Sequence, residues 1–133
     1  MKVVIVGAGE VGFHIASRLA IENKDVVVID KNPDALRTVS QLIDVQTVLG
    51  SGSSPLVLKD AGIENAEILL ALTDSDEVNL VACLVANDLS SPAKKLARLR
   101  NDYFDSFHET FKHSAPQIDT IINPEIEVVN TIE

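Results

Sequence analysis

The stretch "VIVGAGEVGFHIASRL", residues 4–19, changes its hydrophobic period in the middle. Its first residues form an unbroken apolar run, which is typical of a buried strand. Glycines then interrupt the run, and apolar residues return at every fourth position, as on one face of a helix. The glycines are Gly7, Gly9 and Gly12, and the helical stripe is Val11, Ile15 and Leu19. The stretch therefore predicts a strand, a tight turn and a helix in direct succession.

The turn itself, "GAGEVG", has the spacing Gly-x-Gly-x-x-Gly, a dinucleotide-binding fingerprint when it lies between a strand and a helix. Gly7 permits the tight turn, Gly9 lets a pyrophosphate approach the backbone, and Gly12 allows close packing of the helix on the strand. Free N–H groups around Glu10 and Val11 would face the phosphates at the positive end of the helix. By itself the motif is a weak signal, because the same spacing suits a plain strand-to-helix turn.

The second strand-like run, "VVVID", ends on Asp30, 18 residues after Gly12. A carboxylate at this place accepts hydrogen bonds from the ribose of an adenosine. It also repels a 2′-phosphate, so the pattern favours NAD(H), ATP or ADP over NADP(H). The alternative is a solvated aspartate at a strand end, which is common.

Six runs rich in Val, Ile and Leu alternate with helical patterns along the chain. They cover residues 2–6, 25–30, 44–49, 66–72, 94–99 and 118–122. Unbroken apolar strands that alternate with helices predict a parallel sheet covered on both faces. With right-handed crossovers, the fold class is α/β, a Rossmann doubly wound six-stranded sheet. Since no linker-like segment divides the 133 residues, we expect a single domain over residues 1–133.

Local signals also predict where helices begin. Asn32 before Pro33, and Asn123 before Pro124, combine an N-cap residue with proline at the first helical position. The segment "DSDE", residues 74–77, resembles a capping box. The helix that starts at Pro124 reaches Glu133 with neither a glycine cap nor a polar tail. We therefore expect a chain cut within this helix, at the front of a longer protein.

Three other strand ends are expected at the edge of the sheet where parallel α/β folds bind ligands. Residues 50–54 would touch the adenine side, or form a flexible turn with a serine N-cap. Thr73 and Asp74 would lie at the nicotinamide-ribose side, or Asp74 would serve only as a helix cap. Arg98 and Arg100 would share a strand face and meet the phosphates, or form surface ion pairs.

The composition argues against several kinds of partner. A net charge of −9 and a pI near 4.7 disfavour nucleic acid and anionic lipid, which bind through Lys and Arg. No apolar run approaches the roughly 20 residues of a membrane-spanning helix. The single cysteine, Cys83, lies in an apolar stretch and is expected in the core, which fits a reducing cytosol.

The candidate catalytic residues do not form a reaction site by spacing. His14 lies in the first helix, whereas His108 and His113 lie in a polar helix, and no nucleophile motif is found. A nucleotide site without a reaction site predicts a sensor that is not an enzyme. The alternative from another class is the cofactor-binding domain of an NAD-dependent dehydrogenase that lacks its substrate domain.

Beyond the glycines, four segments resemble the potassium-transport nucleotide-binding domains, known as RCK or KTN domains, in particular the TrkA-N type. They are "MKVVIVGAGEVG" (1–12), "VVVIDKN" (26–32), "DVQTVLGSGSSPLVLKDAGIENAEILLALTDSDEVNLVACLVA" (44–86) and "KKLARLRNDYF" (94–104). The resemblance covers residues 1–130. Its most specific part is "AG...A..L.A.T..DE.N..A", from Ala61 to Ala82, which has no counterpart in the general dinucleotide fingerprint.

The resemblance implies a regulatory subunit that is cytoplasmic and peripheral on the inner face of the cell membrane. Its partners would be a membrane-embedded potassium transporter subunit and further copies of itself, as a homo-oligomer (dimer or tetramer). It would bind NAD(H), or ATP/ADP at the same site, and catalyse nothing. The implied contacts are Gly7, Ala8, Gly9, Glu10, Val11, Asp30, Thr73, Asp74 and Arg98. Ser51 departs from the family, which often has an acidic residue there.

Overall fold

Strands form at all six predicted apolar runs in the computed structural model, which describes residues 1–89 and 94–122. They are β1 (Lys2–Val6), β2 (Asp25–Asp30), β3 (Gln46–Leu49), β4 (Ile68–Ala71), β5 (Lys94–Arg98) and β6 (Thr120–Ile122). All pairs are parallel, and the order across the sheet is β3-β2-β1-β4-β5-β6. The predicted Rossmann doubly wound sheet is confirmed.

Some strands are shorter than their apolar runs because the flanking residues bond elsewhere. Ile118 is fully buried, yet its N–H donates to the Phe111 carbonyl at 2.6 Å and does not join the ladder. In the same way, the Val45 N–H donates to the Ile43 carbonyl at 3.2 Å. Apolar composition therefore overestimated the length of the hydrogen-bonded strands. It also overestimated burial at the edge strand β3, where Leu49 is 60% exposed.

Helices cover both faces of the sheet. They are α1 (Glu10–Ile21), α2 (Pro33–Leu42), α3 (Pro55–Asp60), α4 (Asp76–Leu89) and α5 (His108–His113), with 3-10 turns at Ile63–Asn65 and Asp102–Phe107. Alternate strand residues point to opposite faces, so the core has two halves. One half packs Val3 and Ile5 with Ala16 of α1 and Val39 of α2. The other half packs strand residues with Leu58 of α3 and Ala82, Cys83 and Ala86 of α4.

The predicted start of α2 is confirmed, whereas that of α4 needs a correction. The Asn32 side chain accepts from the N–H groups of Asp34 (2.9 Å) and Ala35 (3.4 Å), and Pro33 is the first helical residue. At α4 the cap is Ser75, whose hydroxyl accepts from the Val78 N–H at 3.2 Å. Asp74 does not cap α4, because its side chain turns toward Arg98. The helix predicted from Pro124 lies outside the described residues.

Cys83 is fully buried in α4, which confirms that it belongs to the core. Burial raises the pKa of its thiol from 9.0 to about 12, an effect that Lys95 partly offsets. The thiol is therefore protonated at neutral pH and packs as a small apolar side chain.

Within the described residues, no helix combines the length and the apolar character needed to cross a bilayer.

Candidate nucleotide-binding site

A cavity of about 630 Å³ opens at the carboxyl ends of the strands, where the connection reverses between β1 and β4. We call this cavity the crevice. Its wall includes Gly7, Gly9, Glu10 and Val11; Asp30, Lys31 and Asn32; Gly50, Ser51 and Gly52; Thr73, Asp74 and Ser75; and Arg98. Open α/β sheets bind ligands at this reversal point. Of the nine contacts that the family resemblance implies, all but Ala8 line the crevice.

The three glycines of the fingerprint have different surroundings. Gly7 has a φ of +112°, and a Cβ there would lie 3.0 Å from the backbone of Leu72 and Thr73. A Cβ on Gly12 would overlap the carbonyl oxygen of Gly7, so α1 packs on the turn as closely as predicted. A Cβ on Gly9 would meet nothing within 4 Å, because this residue faces the crevice. The open space beside Gly9 fits the approach of a phosphate to the backbone.

The first turn of α1 supplies donors to the crevice. Its first intrahelical bond runs from the Phe13 N–H to the Gly9 carbonyl at 2.8 Å. The N–H groups of Glu10 and Val11 therefore have no acceptor within the helix, and they lie at its positive end. Such a group of donors binds phosphate without any cationic side chain. The Glu10 carboxylate is exposed beside them, so it adds negative charge near a bound phosphate.

Ala8 is the implied nucleotide contact that does not line the crevice. It is buried, and its N–H donates to Asp30 Oδ2 at 2.7 Å. The Ala8 N–H, which was predicted to contact the nucleotide, therefore binds a side chain of the protein instead. Ala8 contributes by attaching the glycine loop to the end of β2, and this role depends on a contact between residues 22 positions apart.

Asp30 is held in place from two sides. Oδ2 accepts from Ala8, and Oδ1 accepts from the Asn32 N–H at 2.8 Å. The side chain is half-buried in the crevice wall, unlike a freely solvated aspartate at a strand end. A carboxylate has about four acceptor positions, so two remain for the hydroxyls of a ribose.

The loop at residues 50–54 lines the crevice at its start and caps a helix at its end. Gly50, Ser51 and Gly52 line the crevice, and the hydroxyls of Ser51 and Ser53 lie 2.8 Å apart. Ser54 instead caps α3, since its hydroxyl accepts from the Val57 N–H at 3.4 Å. The first part of the loop is therefore placed to contact a ligand, and the last part starts a helix.

Thr73 and Asp74 follow β4 and line the far side of the crevice. The Thr73 hydroxyl lies 2.7 Å from Asn79 Oδ1 and accepts from the Ser75 N–H at 3.1 Å. Asp74 is 91% exposed and forms a 3.2 Å ion pair with Arg98. The pair therefore joins a solvent-exposed carboxylate to a guanidinium that is almost fully buried.

Arg98 ends β5 with its side chain only 9% exposed. One guanidinium nitrogen pairs with Asp74, but the buried Nε has no hydrogen-bond partner among the described residues. A buried donor without an acceptor is unfavourable by about 1–3 kcal/mol. The guanidinium lines the crevice, and its planar set of donors matches the geometry of a phosphate.

The prediction that Arg100 shares the strand face of Arg98 is wrong. Strand β5 ends at Arg98, so residue 100 no longer follows the alternation of the strand. The Arg100 guanidinium instead donates to the Asp74 carbonyl at 2.9 Å, and the residue is outside the crevice wall. Its role is to support the loop that carries Asp74.

Two polar residues at the start of α4 were missed by the sequence reasoning. Asp76 is 7% exposed and Asn79 is fully buried, and both bind backbone at the edge of the crevice. A signal was present in the segment from Ala61 to Ala82, where both residues belong to the family-like pattern. Hydrophobic periodicity did not indicate that these two polar residues are buried beside the crevice.

The histidines lie apart from the crevice wall. His113 is 3.3 Å from Glu109 and His108 is 3.7 Å from Asp105, each within one or two helical turns. His14 is exposed on α1. In the part of the chain that the structure describes, no three His, Cys, Asp or Glu side chains come together in a way that could hold a metal ion.

The family model of the TrkA-N domain matches residues 3–124. The Trk system potassium uptake protein TrkA of Halomonas elongata is 43% identical over 132 residues, which are 99% of this chain and 29% of that protein. The protein of the same name from Azorhizobium caulinodans is 45% identical over 130 residues, or 96% of this chain and 28% of that protein. The chain thus spans under a third of the length of these curated relatives.

Solved structures share the fold. The TrkA-N domain of the inner membrane protein ybaL from Escherichia coli has a TM-score of 0.83 at 19% identity, covering 98% of this chain and 93% of that one. The GsuK channel bound to NAD has a TM-score of 0.75 at 19% identity, covering 91% of this chain and 21% of that one. A GsuK structure bound to ADP is similar to the same degree, with a TM-score of 0.75 at 19% identity over 92% of this chain and 31% of that one. Since the family model spans nearly the whole chain, the chain belongs to the TrkA-N domain family.

Proposed function

We propose that this chain is the regulatory nucleotide-binding domain of a cytoplasmic subunit that gates a membrane potassium uptake transporter. One observation carries the proposal. A single crevice combines the donors of the glycine loop, the fixed carboxylate of Asp30 and the buried guanidinium of Arg98. Its volume of about 630 Å³ lies in the range typical of small-molecule sites. The link to potassium is supported by the names of the curated relatives.

The proposed ligand is NAD(H), with ATP or ADP as alternatives at the same site. The ribose of the adenosine would lie on Asp30, and the phosphates on the loop from Gly7 through Val11. Thr73, Asp74 and Arg98 would contact what lies beyond the adenosine phosphate. The binding of NAD and of ADP by the similar GsuK structures supports this choice. All these ligands share an adenosine phosphate, so the glycine loop and Asp30 serve each of them.

We further propose that the domain acts without catalysing a reaction. Several polar side chains in the crevice wall hold the protein backbone, as Asp30 and Thr73 do, or pair with one another, as Asp74 and Arg98 do. Regulation would follow from a population shift, in which a nucleotide binds one arrangement of the domains more tightly than another. The domains would assemble as dimers or tetramers on the inner face of the membrane, against the transporter subunit.

Calorimetric titration of the purified chain with NAD, NADH, ADP and ATP tests the proposal. We expect saturable binding of at least one of the four ligands. Asp30→Ala and Arg98→Ala should each weaken it by about tenfold, because each removes a charged hydrogen-bond partner. Unchanged affinity in both variants would reject the site assignment. No binding of any of the four ligands by the unaltered chain would reject the nucleotide-sensing function itself.

A further inference from the structure

The first turn of α4 carries two buried polar side chains, Asp76 and Asn79. Their partners on the segments that follow β4 and β5 are mainly backbone groups. These segments include Thr73 and Arg98, which both line the crevice. Buried polar groups need complete hydrogen bonding to be tolerated, so their partners are well defined.

Asn79 connects the ends of the two strands. Its Oδ1 accepts from the Thr73 N–H at 3.0 Å and lies 2.7 Å from the Thr73 hydroxyl. Its Nδ2 donates to the Thr73 carbonyl at 3.1 Å and to the Arg98 carbonyl at 2.7 Å. The side-chain amide has two donors and a carbonyl with two lone pairs, and these contacts use all of them.

Asp76 holds the chain immediately after Arg98. Its carboxylate accepts from the Arg100 N–H at 3.0 Å and from the Asn101 N–H at 2.7 Å. Hydrogen bonds to a charged acceptor are stronger than those between neutral groups. The first turn of α4 therefore binds both the segment after β4, through Asn79, and the segment after β5, through Asp76.

Asn79 lies where the hydrogen-bonded ladder between β4 and β5 ends. The parallel ladder between β4 and β5 runs up to the pair Ala71 and Ala97. Beyond that pair the two strands separate to form the crevice. There the Asn79 amide bridges the two chains by donating to the carbonyls of both Thr73 and Arg98.

We propose that Asn79 is a positioning residue for the nucleotide. It sets the separation of Thr73 and Arg98, and through them the affinity for the part of a ligand beyond the adenosine phosphate. Asp76 supports the same arrangement. The inference rests on the proposed function, and it predicts that Asn79 governs the preference for a dinucleotide over a mononucleotide, although it does not line the crevice itself.

The test compares NADH with AMP, which lacks the second nucleotide. In Asn79→Ala, NADH affinity should fall about tenfold while AMP affinity changes less than about twofold, since the glycine loop and Asp30 remain intact. Asn87→Ala is the matched control: the same residue type, on the same helix, eight residues farther from the crevice. We expect no change in the ratio of the two affinities in this control.

A second variant and a second measurement keep the test decisive if Asn79→Ala does not fold. Asn79→Asp keeps the oxygen that faces the Thr73 N–H but loses the amide donors to the Thr73 and Arg98 carbonyls, so it should lower the NADH affinity and spare the AMP affinity. If the alanine variant does not fold, the aspartate variant decides. Without ligand, the amide NMR shifts of Thr73 and Arg98 should move in the folded variant, whereas those of Gly9 and Asn32 should not.

The outcomes separate the two proposals. Equal losses for NADH and AMP, or an unchanged NADH affinity, would overturn the positioning role of Asn79 while leaving the nucleotide site in place. If the unaltered chain binds none of NAD, NADH, ADP and ATP, the proposed function fails, and the positioning role fails with it. If it binds ADP or ATP but not NADH, only the positioning role is overturned.

Discussion

The backbone N–H of Ala8 donates to Asp30 Oδ2 at 2.7 Å, so the carboxylate proposed to bind a ribose also anchors the glycine loop. The loop that would hold phosphates and the residue that would hold the ribose are thus positioned relative to each other before any ligand arrives. Such preorganisation lowers the entropy that is lost on binding. It also means that a change at Asp30 affects two properties at once.

Asp30→Ala should lower both the stability and the nucleotide affinity. The substitution leaves the N–H groups of Ala8 and Asn32 without their acceptor, and Ala8 is buried. We expect the free energy of unfolding to fall by about 1–3 kcal/mol, measured by urea denaturation without ligand. Asp25→Ala is the control, because Asp25 is exposed at the other end of the same strand. Equal effects of the two variants would contradict the anchoring role.

Gly9→Ala and Gly12→Ala should separate binding from folding. A Cβ at position 9 meets nothing within 4 Å, so the fold should persist while the added methyl group obstructs a phosphate. A Cβ at position 12 overlaps the Gly7 carbonyl, and we expect a loss of at least ~2 kcal/mol in stability. Thermal unfolding without ligand and titration with NADH measure the two effects. A stable Gly12→Ala variant, or a Gly9→Ala variant with full affinity, would refute this division of roles.

Glu10→Gln should favour the more highly charged ligand. The Glu10 carboxylate lies beside the free N–H groups of α1, so it repels phosphates that the loop attracts. We expect ATP affinity to rise about two- to fivefold, and more than NADH affinity, at low salt. The gain should shrink at about 1 M salt, where charges are screened within a few ångströms. Glu22→Gln, at the opposite end of α1, should leave both affinities unchanged.

The buried thiol of Cys83 should make stability fall at alkaline pH. Burial raises the pKa of the folded-state thiol from 9.0 to about 12, so between these values the unfolded chain loses a proton that the folded chain keeps. Deprotonation then favours unfolding, by about 1 kcal/mol for each pH unit above 9. Below pH 8 the thiol contributes no pH dependence. The difference in free energy of unfolding between the natural chain and Cys83→Ala isolates this effect; a difference that is constant from pH 8 to 11 would exclude it.

The sequence alone predicted the sheet, the close packing at the glycine turn and the place of Asp30 at the end of β2. Each depends on short-range patterns: apolar runs, a glycine spacing, and an acid at the end of a run. Glycine at positions 7 and 12 is required by local backbone geometry, which is why its role could be predicted without partners. The prediction that Asp74 caps α4 also used a short-range pattern, but it was wrong. The Asp74 side chain instead accepts a hydrogen bond from Arg98, 24 residues away.

Only the tertiary structure decided how the far side of the crevice is built. The β4–β5 ladder ends at the pair Ala71 and Ala97, and a fully buried amide on α4 then bridges Thr73 and Arg98 beyond it. Strand β5 ends at Arg98, and Arg100 lies outside the crevice wall. Sequence periodicity describes which residues are buried, whereas the pairing of distant polar groups depends on where strands end and separate. For that reason Asp30 was recognisable in the sequence, and Asn79 became visible only in the fold.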